Sequence, residues 1–129
     1  MTTLKSSDCN EWPPLTIAEI AERSDQSKMW TIVTEEDGIS KLSRSFICKN
    51  FQCALDFVAA AGTVAEQHGH HPDLHITGYR NVRVVVYSHG LSALTDNDFN
   101  LCKLIDSDVK IGYSPKFLKE HQECVGSEK

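Results

Sequence analysis

Histidine is concentrated in one short part of this chain. Five of its six histidines lie within 22 consecutive residues, and these are His68, His70, His71, His75 and His89. Imidazole has an ordinary pKa of about 6.5, so neighbouring histidines can hold a neutral base and a protonated acid side by side. Such a pair suits an elimination or a hydration, in which one group removes a proton and another protonates a departing hydroxyl. The cluster therefore predicts acid–base chemistry.

Two of these histidines, His70 and His71, follow a long predicted helix. Apolar residues recur at helical spacing over Phe51–His68, and Gly69 suits the C′ position where such a helix ends. Pro72 disfavours helical backbone at the residue before it, so the helix gives way to a loop at His70 and His71. A loop that follows a rigid helix is a good place to hold acid–base groups in fixed geometry.

A third histidine lies at the end of a predicted strand. The run Asn81–His89 is rich in valine, which favours a buried strand, and His89 is its last residue. Two carboxylates accompany the histidines, Glu66 at the end of the long helix and Asp98 beyond the strand. Either could orient an imidazole ring and favour its protonated form.

The remaining pattern predicts an α+β fold. Thr16 and Glu19 have the spacing of a capping box at the start of a first helix, and Thr95 and Asp98 have it at the start of a last helix. Alternating residues predict two hairpins. The predicted elements are a helix over Thr16–Arg23, strands over Trp30–Thr34 and Ile39–Cys48, the helix Phe51–His68, strands over Leu74–Thr77 and Asn81–His89, and a helix over Thr95–Asp106.

This order favours a four-stranded antiparallel sheet with three helices packed on one face. We divide the chain into a loose N-terminal segment (1–15), one domain (16–106) and a C-terminal extension of unknown role (107–129), whose sequence shows no clear period. A chain of 129 residues can bury the core of one such domain.

The composition narrows the functional classes. The formal net charge is −5, and no basic stripe is present, which argues against direct nucleic-acid binding and against an anionic membrane surface. The cysteines are five in number and form no CxxC pair, as expected of reduced thiols. Met1–Glu11 lacks the apolar core of a signal peptide, and the longest apolar run, Phe57–Ala61, is too short to cross a bilayer. We therefore expect a cytoplasmic protein.

The histidines and carboxylates together form a recognisable signature. Glu66, three spacers, His70-His71-Pro72, six spacers, Tyr79, nine spacers, His89 and then Asp98 resemble the signature of the pterin-4a-carbinolamine dehydratase family. The resemblance covers about residues 16–106. Leu74 departs from it, since several members carry a tryptophan at that position.

The resemblance implies an enzyme that dehydrates 4a-hydroxytetrahydropterin to quinonoid dihydropterin and so recycles a tetrahydrobiopterin-type cofactor. It implies no metal and no cofactor besides the pterin substrate. It also implies a homodimer or homotetramer, and small residues on the long helix suit helix-on-helix packing.

The resemblance also assigns roles to the residues of the signature. His70, His71 and His89 are the catalytic candidates, and we expect His70 and His89 to be the acid–base pair, with His71 binding and orienting the ring. Glu66, Pro72, Tyr79 and Asp98 are candidates for binding or orienting the substrate. We expect Glu66 to tune His70 and Asp98 to orient His89 or to cap the last helix.

Three alternatives compete with this reading. A histidine cluster can bind zinc, although the chain has no HExxH pair and no cysteine close to the histidines in sequence. A cysteine nucleophile would need an activating motif, which is not recognisable here. A different class of function is a non-catalytic dimerisation or coactivator module that binds a protein partner, as members of this family also do. Such a module could lose its histidines without penalty, whereas here the set is complete.

Overall fold

A computed structural model describes residues 12–34 and 36–120 of the chain. Within them the order of elements is helix, two strands, long helix, two strands and two helices. Their bounds are α1 Ile17–Ser24, β1 Thr31–Thr34, β2 Ser40–Ile47, α2 Phe51–His68, β3 Asp73–Thr77, β4 Asn81–Val86, α3 Asp96–Asp108 and α4 Pro115–Glu120. The predicted α+β class is confirmed.

The four strands form one antiparallel sheet in the order β1-β2-β4-β3. In the central pair, Leu42 lies opposite Val86, and Phe46 lies opposite Val82. Because side chains alternate along a strand, these residues share one face of the sheet, and all are buried. The other face carries residues such as Ser45 and Arg83, which also lie opposite each other.

Helices α2 and α3 cover the apolar face of the sheet. The rings of Phe46 on β2 and Phe57 on α2 meet edge to face with centroids 4.8 Å apart. Helix α2 buries Ala54, Ala61 and Ala65 along the same side, and such small side chains allow a helix to approach its neighbours closely. Packing of this side against the core fixes the orientation of α2 on the sheet, and it therefore fixes the positions of both helix ends.

Both ends of α2 have residues suited to their positions. Asn50 is the N-cap, and its side-chain oxygen accepts a hydrogen bond from Cys53 N at 2.8 Å. Gly69 ends the helix in the left-handed conformation, with φ of 66°, where a side chain would be strained. The sequence predicted both the bounds of this helix and its glycine cap.

A fourth helix, α4, is an addition to the three that the sequence predicted. It lies in the C-terminal extension, where Ser114 Oγ accepts a hydrogen bond from Phe117 N at 3.0 Å. Tyr113 stacks on Phe117 with ring centroids 5.4 Å apart, and Arg44 donates a hydrogen bond to the Tyr113 hydroxyl at 2.5 Å. Residues just beyond α3 are therefore held against the sheet.

In the described part of the chain, no helix combines the length and the hydropathy that a bilayer-spanning segment requires.

Candidate active site

The turn at the end of α2 sends two adjacent histidines in different directions. After Gly69 reverses the chain, His70 N donates to the carbonyl of Ala65 at 3.2 Å, which holds the loop against the last turn of the helix. The His70 side chain is then only 2% exposed, whereas that of His71 is 52% exposed. One imidazole therefore lies in the protein interior, and its neighbour faces solvent.

The buried imidazole is paired with a buried carboxylate. Nε2 of His70 lies 2.5 Å from Oδ1 of Asp98, whose side chain is fully buried. The other carboxylate oxygen, Oδ2, accepts from Thr95 N at 2.8 Å and from the Ser88 hydroxyl at 3.0 Å. Thr95 and Asp98 form the predicted capping box of α3. One carboxylate thus caps the helix with Oδ2 and holds the histidine with Oδ1.

Each of the two exposed imidazoles also has a carboxylate neighbour. Nε2 of His71 lies 3.2 Å from Oε2 of Glu66, one helical turn back on α2. Nε2 of His89 lies 3.5 Å from Oδ1 of Asp73, the first residue of β3. The described residues therefore include three imidazole–carboxylate couples, one buried and two exposed.

These pairings differ from the expected ones. The sequence suggested that Glu66 would act on His70, but the structure pairs Glu66 with His71, because His70 turns inward after Gly69. It suggested that Asp98 would orient His89 or cap the last helix. Asp98 does cap the helix, but its second oxygen contacts His70.

Ser88 and Pro72, each adjacent in sequence to one of the histidines, link the three imidazole–carboxylate couples. Ser88 holds Asp98 and is followed directly by His89. Pro72, which is partly buried, joins His71 to Asp73. Strand β4 ends at Val86 rather than at His89, because Ser88 turns aside to pair with Ala93. The three histidines therefore lie at the end of the sheet where β3 begins and β4 ends.

Tyr79 lies in space at the opposite end of β4 from His89 and so is separated from the candidate site. It occupies the tight turn between β3 and β4 with φ of 58°, and its side chain is largely exposed, with the Arg80 guanidinium 5.6 Å from its ring centroid. The length of β4 separates it from His89. The nine-residue spacing from Tyr79 to His89 spans that strand and does not bring their side chains together.

A cleft of about 470 Å³ also lies away from the histidines. Its lining includes Thr77 and Asn81, next to the β3–β4 turn, and Phe117 of α4. None of the described histidines lines it. Acid–base chemistry depends on titratable groups rather than on the size of a cavity, so we place the candidate site at the histidines.

Asp73 and Ser88 were not singled out from the sequence. Asp73 directly follows the His70-His71-Pro72 run, and Ser88 directly precedes His89, so their positions in the chain were the available signals. Neither position shows by itself which side chain will be contacted. Thr95 was predicted as a helix cap, and its contact with Asp98 gives it a part in the site as well.

The structure also bears on a zinc site and on a cysteine nucleophile, the two chemical alternatives raised by the sequence. Within residues 12–34 and 36–120, no three histidine, cysteine, aspartate or glutamate side chains form a group able to hold a metal ion. Burial raises the pKa of the Cys48 thiol to about 11 and raises that of Cys102 as well. Both thiols are therefore protonated near neutral pH and are poor nucleophiles.

Comparison with known proteins gives a consistent result. The profile of the family described as Pterin 4 alpha carbinolamine dehydratase matches residues 13–107. Pterin-4-alpha-carbinolamine dehydratase 2, mitochondrial, of Arabidopsis thaliana is 40% identical over 77 residues, which are 60% of this chain and 41% of that protein. This chain thus matches less than half the length of the plant relative.

Two further relatives are matched over most of their length. A candidate pterin-4-alpha-carbinolamine dehydratase of Nitrosococcus oceani is 37% identical over 111 residues, which are 85% of this chain and 96% of that protein. A crystal structure from Brucella Melitensis, described as a transcriptional coactivator/pterin dehydratase, superposes with a TM-score of 0.66 at 28% identity. It covers 76% of this chain and 100% of its own. The chain therefore belongs to the Pterin 4 alpha carbinolamine dehydratase family.

Proposed function

We propose that this chain dehydrates 4a-hydroxytetrahydropterin to quinonoid dihydropterin and so serves the recycling of a tetrahydrobiopterin-type cofactor. The observation that carries the proposal is that His70, His71 and His89 lie at the same end of the sheet, each with a carboxylate neighbour. Membership of the dehydratase family supports the choice of substrate class.

The reaction needs two proton transfers and no change of oxidation state. The bond between C4a and the hydroxyl oxygen breaks, and that oxygen takes a proton and leaves as water. N5 loses its proton, and its electron pair forms the C4a–N5 double bond. One protonated imidazole and one neutral imidazole can perform these steps, and their protonation states are exchanged at the end. The proposed reaction requires neither a metal nor a cofactor of the protein's own.

We assign the acid–base pair to His70 and His89, and the orientation of the pterin ring to His71. The contact between His70 and Asp98 supports this role, because a buried carboxylate that holds an imidazole fixes the orientation of the ring. His89 is 49% exposed and can meet a substrate directly. His70 is 2% exposed, so the assignment requires the substrate to reach the edge of an almost covered ring.

Stopped-flow measurement of 4a-hydroxytetrahydropterin dehydration in the presence of a metal chelator tests the proposal. We expect wild type to accelerate the reaction and His70→Ala and His89→Ala each to lose roughly 10²- to 10⁴-fold in kcat. His71→Ala should mainly raise KM. His75→Ala is the matched control, since His75 is exposed on β3 and contacts none of the three couples by hydrogen bond or ion pair among those described.

Each alternative outcome has a distinct meaning. If a folded His71→Ala variant loses kcat while His70→Ala keeps it, the acid–base pair is His71 and His89, and His70 supports them from the interior. If folded wild-type protein gives no acceleration over buffer, the proposed activity is refuted. Activity that is lost on chelation would refute the metal-free mechanism.

A protein-binding role is the second candidate, because helix α2 exposes apolar side chains. Phe51 is 48% and Leu55 is 40% exposed, and they lie four residues apart on one face of the helix. The description of the Brucella Melitensis relative as a transcriptional coactivator/pterin dehydratase agrees with such a role. Self-association into a dimer or tetramer would cover the same kind of surface. Light scattering of wild type and Leu55→Glu distinguishes a self-associating chain from a monomer that leaves α2 open to another protein.

A further inference from the structure

Two aromatic side chains are in contact at the solvent-facing end of β4. Tyr87 and His89 are two residues apart and therefore lie on the same side of the extended chain. Their ring centroids are 4.1 Å apart, and the ring planes are inclined by 43°. The intervening residue, Ser88, is fully buried and binds Asp98. Alternation along the chain therefore gives His89 a different set of neighbours from the buried couple.

The Tyr87 ring is itself held by a cation on the adjacent strand. Leu42 lies opposite Val86, so Lys41 comes to lie opposite Tyr87 across the β2–β4 pair. The Lys41 ammonium is 4.6 Å from the centre of the Tyr87 ring. Only 10% of the Lys41 side chain is exposed. A cation at this distance from an aromatic face is attracted to it, and the attraction strengthens as water is excluded.

Lys41 is fixed in turn by the β1–β2 hairpin. Its Nζ lies 3.1 Å from Oδ2 of Asp37, and the other oxygen of that carboxylate accepts a hydrogen bond from Ile39 N at 2.9 Å. These two donors lower the pKa of Asp37, the backbone amide of Ile39 contributing most. A line of contacts thus runs from the hairpin turn through Lys41 and Tyr87 to His89.

A second group contacts His89 from β3. Oδ1 of Asp73 lies 3.5 Å from Nε2 of the ring. His89 is 49% exposed, lies three residues beyond the end of β4 and, among the described residues, contacts no buried carboxylate, unlike His70. Within the described part of the chain, the side chains that restrain the His89 ring are therefore those of Tyr87 and Asp73.

We propose that Tyr87 is a positioning residue for His89, and that its ring, steadied by Lys41, holds the imidazole in the orientation in which Asp73 contacts Nε2. The consequence for the reaction rests on the proposed dehydratase function. The restraint on the ring does not, because it exists without substrate. A displacement of about 1 Å in a reacting group can lower a rate roughly 100-fold, so a restraint of this kind would affect kcat.

Proton NMR of the substrate-free protein tests the restraint directly. The π electrons of an aromatic ring shift the resonances of nuclei held close to it. The ring protons of His89 should therefore be displaced from those of His75, an exposed histidine that serves as the internal reference. Tyr87→Phe should keep the displacement, and Tyr87→Leu should abolish it. Wild-type His89 signals at the positions of His75 would overturn the proposal without any variant being made.

Kinetics then test the consequence. Tyr87→Leu should lower kcat by roughly 10- to 100-fold with little change in KM, and Tyr87→Phe should restore it to within about twofold of wild type, because the ring is retained. Lys41→Met, which keeps most of the stem but removes the cation, should fall between the two. An active wild type with an equally active, folded Tyr87→Leu would refute the positioning role and leave the dehydratase proposal intact. A wild type with displaced His89 signals and no activity would refute the dehydratase proposal and leave the restraint of His89 by Tyr87 intact.

Discussion

The buried couple and the two exposed couples of the site use the same chemical groups in different surroundings. His70 and Asp98 are 2.5 Å apart, and their side chains are 2% and 0% exposed. The contact between His71 and Glu66 is 3.2 Å long, and about half or more of each side chain is in solvent. Water competes for the exposed contact and screens it, whereas the buried contact has no such competitor.

The difference shows how one short segment can combine rigidity with access. Asp98 is held by its helix and by Ser88, so His70 has one orientation. The exposed imidazoles can meet a ligand, but their carboxylates restrain them weakly. Packing, such as the contact of Tyr87 with His89, is then the main source of restraint on that side. Removal of single groups should separate the two kinds of couple.

The largest effect is expected from Asp98→Ala. It removes a fully buried carboxylate, the N3 residue of the α3 capping box and the partner of His70. Loss of one member of a buried pair costs about 3–5 kcal/mol, because the other member stays buried without its partner. Chemical denaturation should show this decrease in unfolding free energy. Asp98→Asn keeps the shape and an acceptor and should lose less, and the exposed Asp108→Ala should change little. A loss below about 1 kcal/mol for Asp98→Ala would contradict the comparison.

An intermediate effect of opposite sign is expected next to Asp98. Asn97 is fully buried, and neither its amide oxygen nor its amide nitrogen has a hydrogen-bond partner among residues 12–34 and 36–120. A buried polar group without a partner costs about 1–3 kcal/mol, and leucine has nearly the same shape. Asn97→Leu should therefore raise the unfolding free energy by about 1 kcal/mol, with Asn100→Leu on the same helix as control. A destabilised Asn97→Leu would show that the amide does make hydrogen bonds in solution.

The smallest effect is expected from Glu66→Gln. Its carboxylate is 74% exposed in the couple with His71, and exposed ion pairs contribute little to stability. The unfolding free energy should change by less than about 0.5 kcal/mol in chemical denaturation. A loss comparable with that of Asp98→Ala would mean that exposure does not separate the two kinds of couple.

Local signals in the sequence predicted most of the fold. Helix α2 has the predicted bounds and the predicted glycine at its end, because periodicity and capping are properties of neighbouring residues. The capping boxes at Thr16 and Thr95 are present for the same reason. Helix α4, which the sequence did not predict, also has a local signal, since Ser114 and Pro115 are typical N-cap and first-turn residues. Periodicity does not predict this helix, because α4 has only six residues and no apolar period.

The partners within the site were not predictable in this way. The sequence identified Asp98 and the three histidines, but the choice of His70 as the partner of Asp98 follows from the turn at Gly69 and the docking of α3. Tyr79 has the spacing of the signature, but the residues between Tyr79 and His89 include all of β4. The two residues therefore lie beyond opposite ends of that strand. Contacts between distant segments depend on packing, which no single segment encodes.

The chain beyond the family match has a consequence for the extent of the folding unit. The match ends at residue 107, but Lys49 N donates to the carbonyl of Gly112 and Ser114 N to that of Ile47, at 2.8 and 2.9 Å. A protease cut after α3 would remove these two pairings together with the hydroxyl that accepts from the buried Arg44. The smallest fragment able to fold independently should therefore extend past the residues that match the family profile, to at least the end of α4.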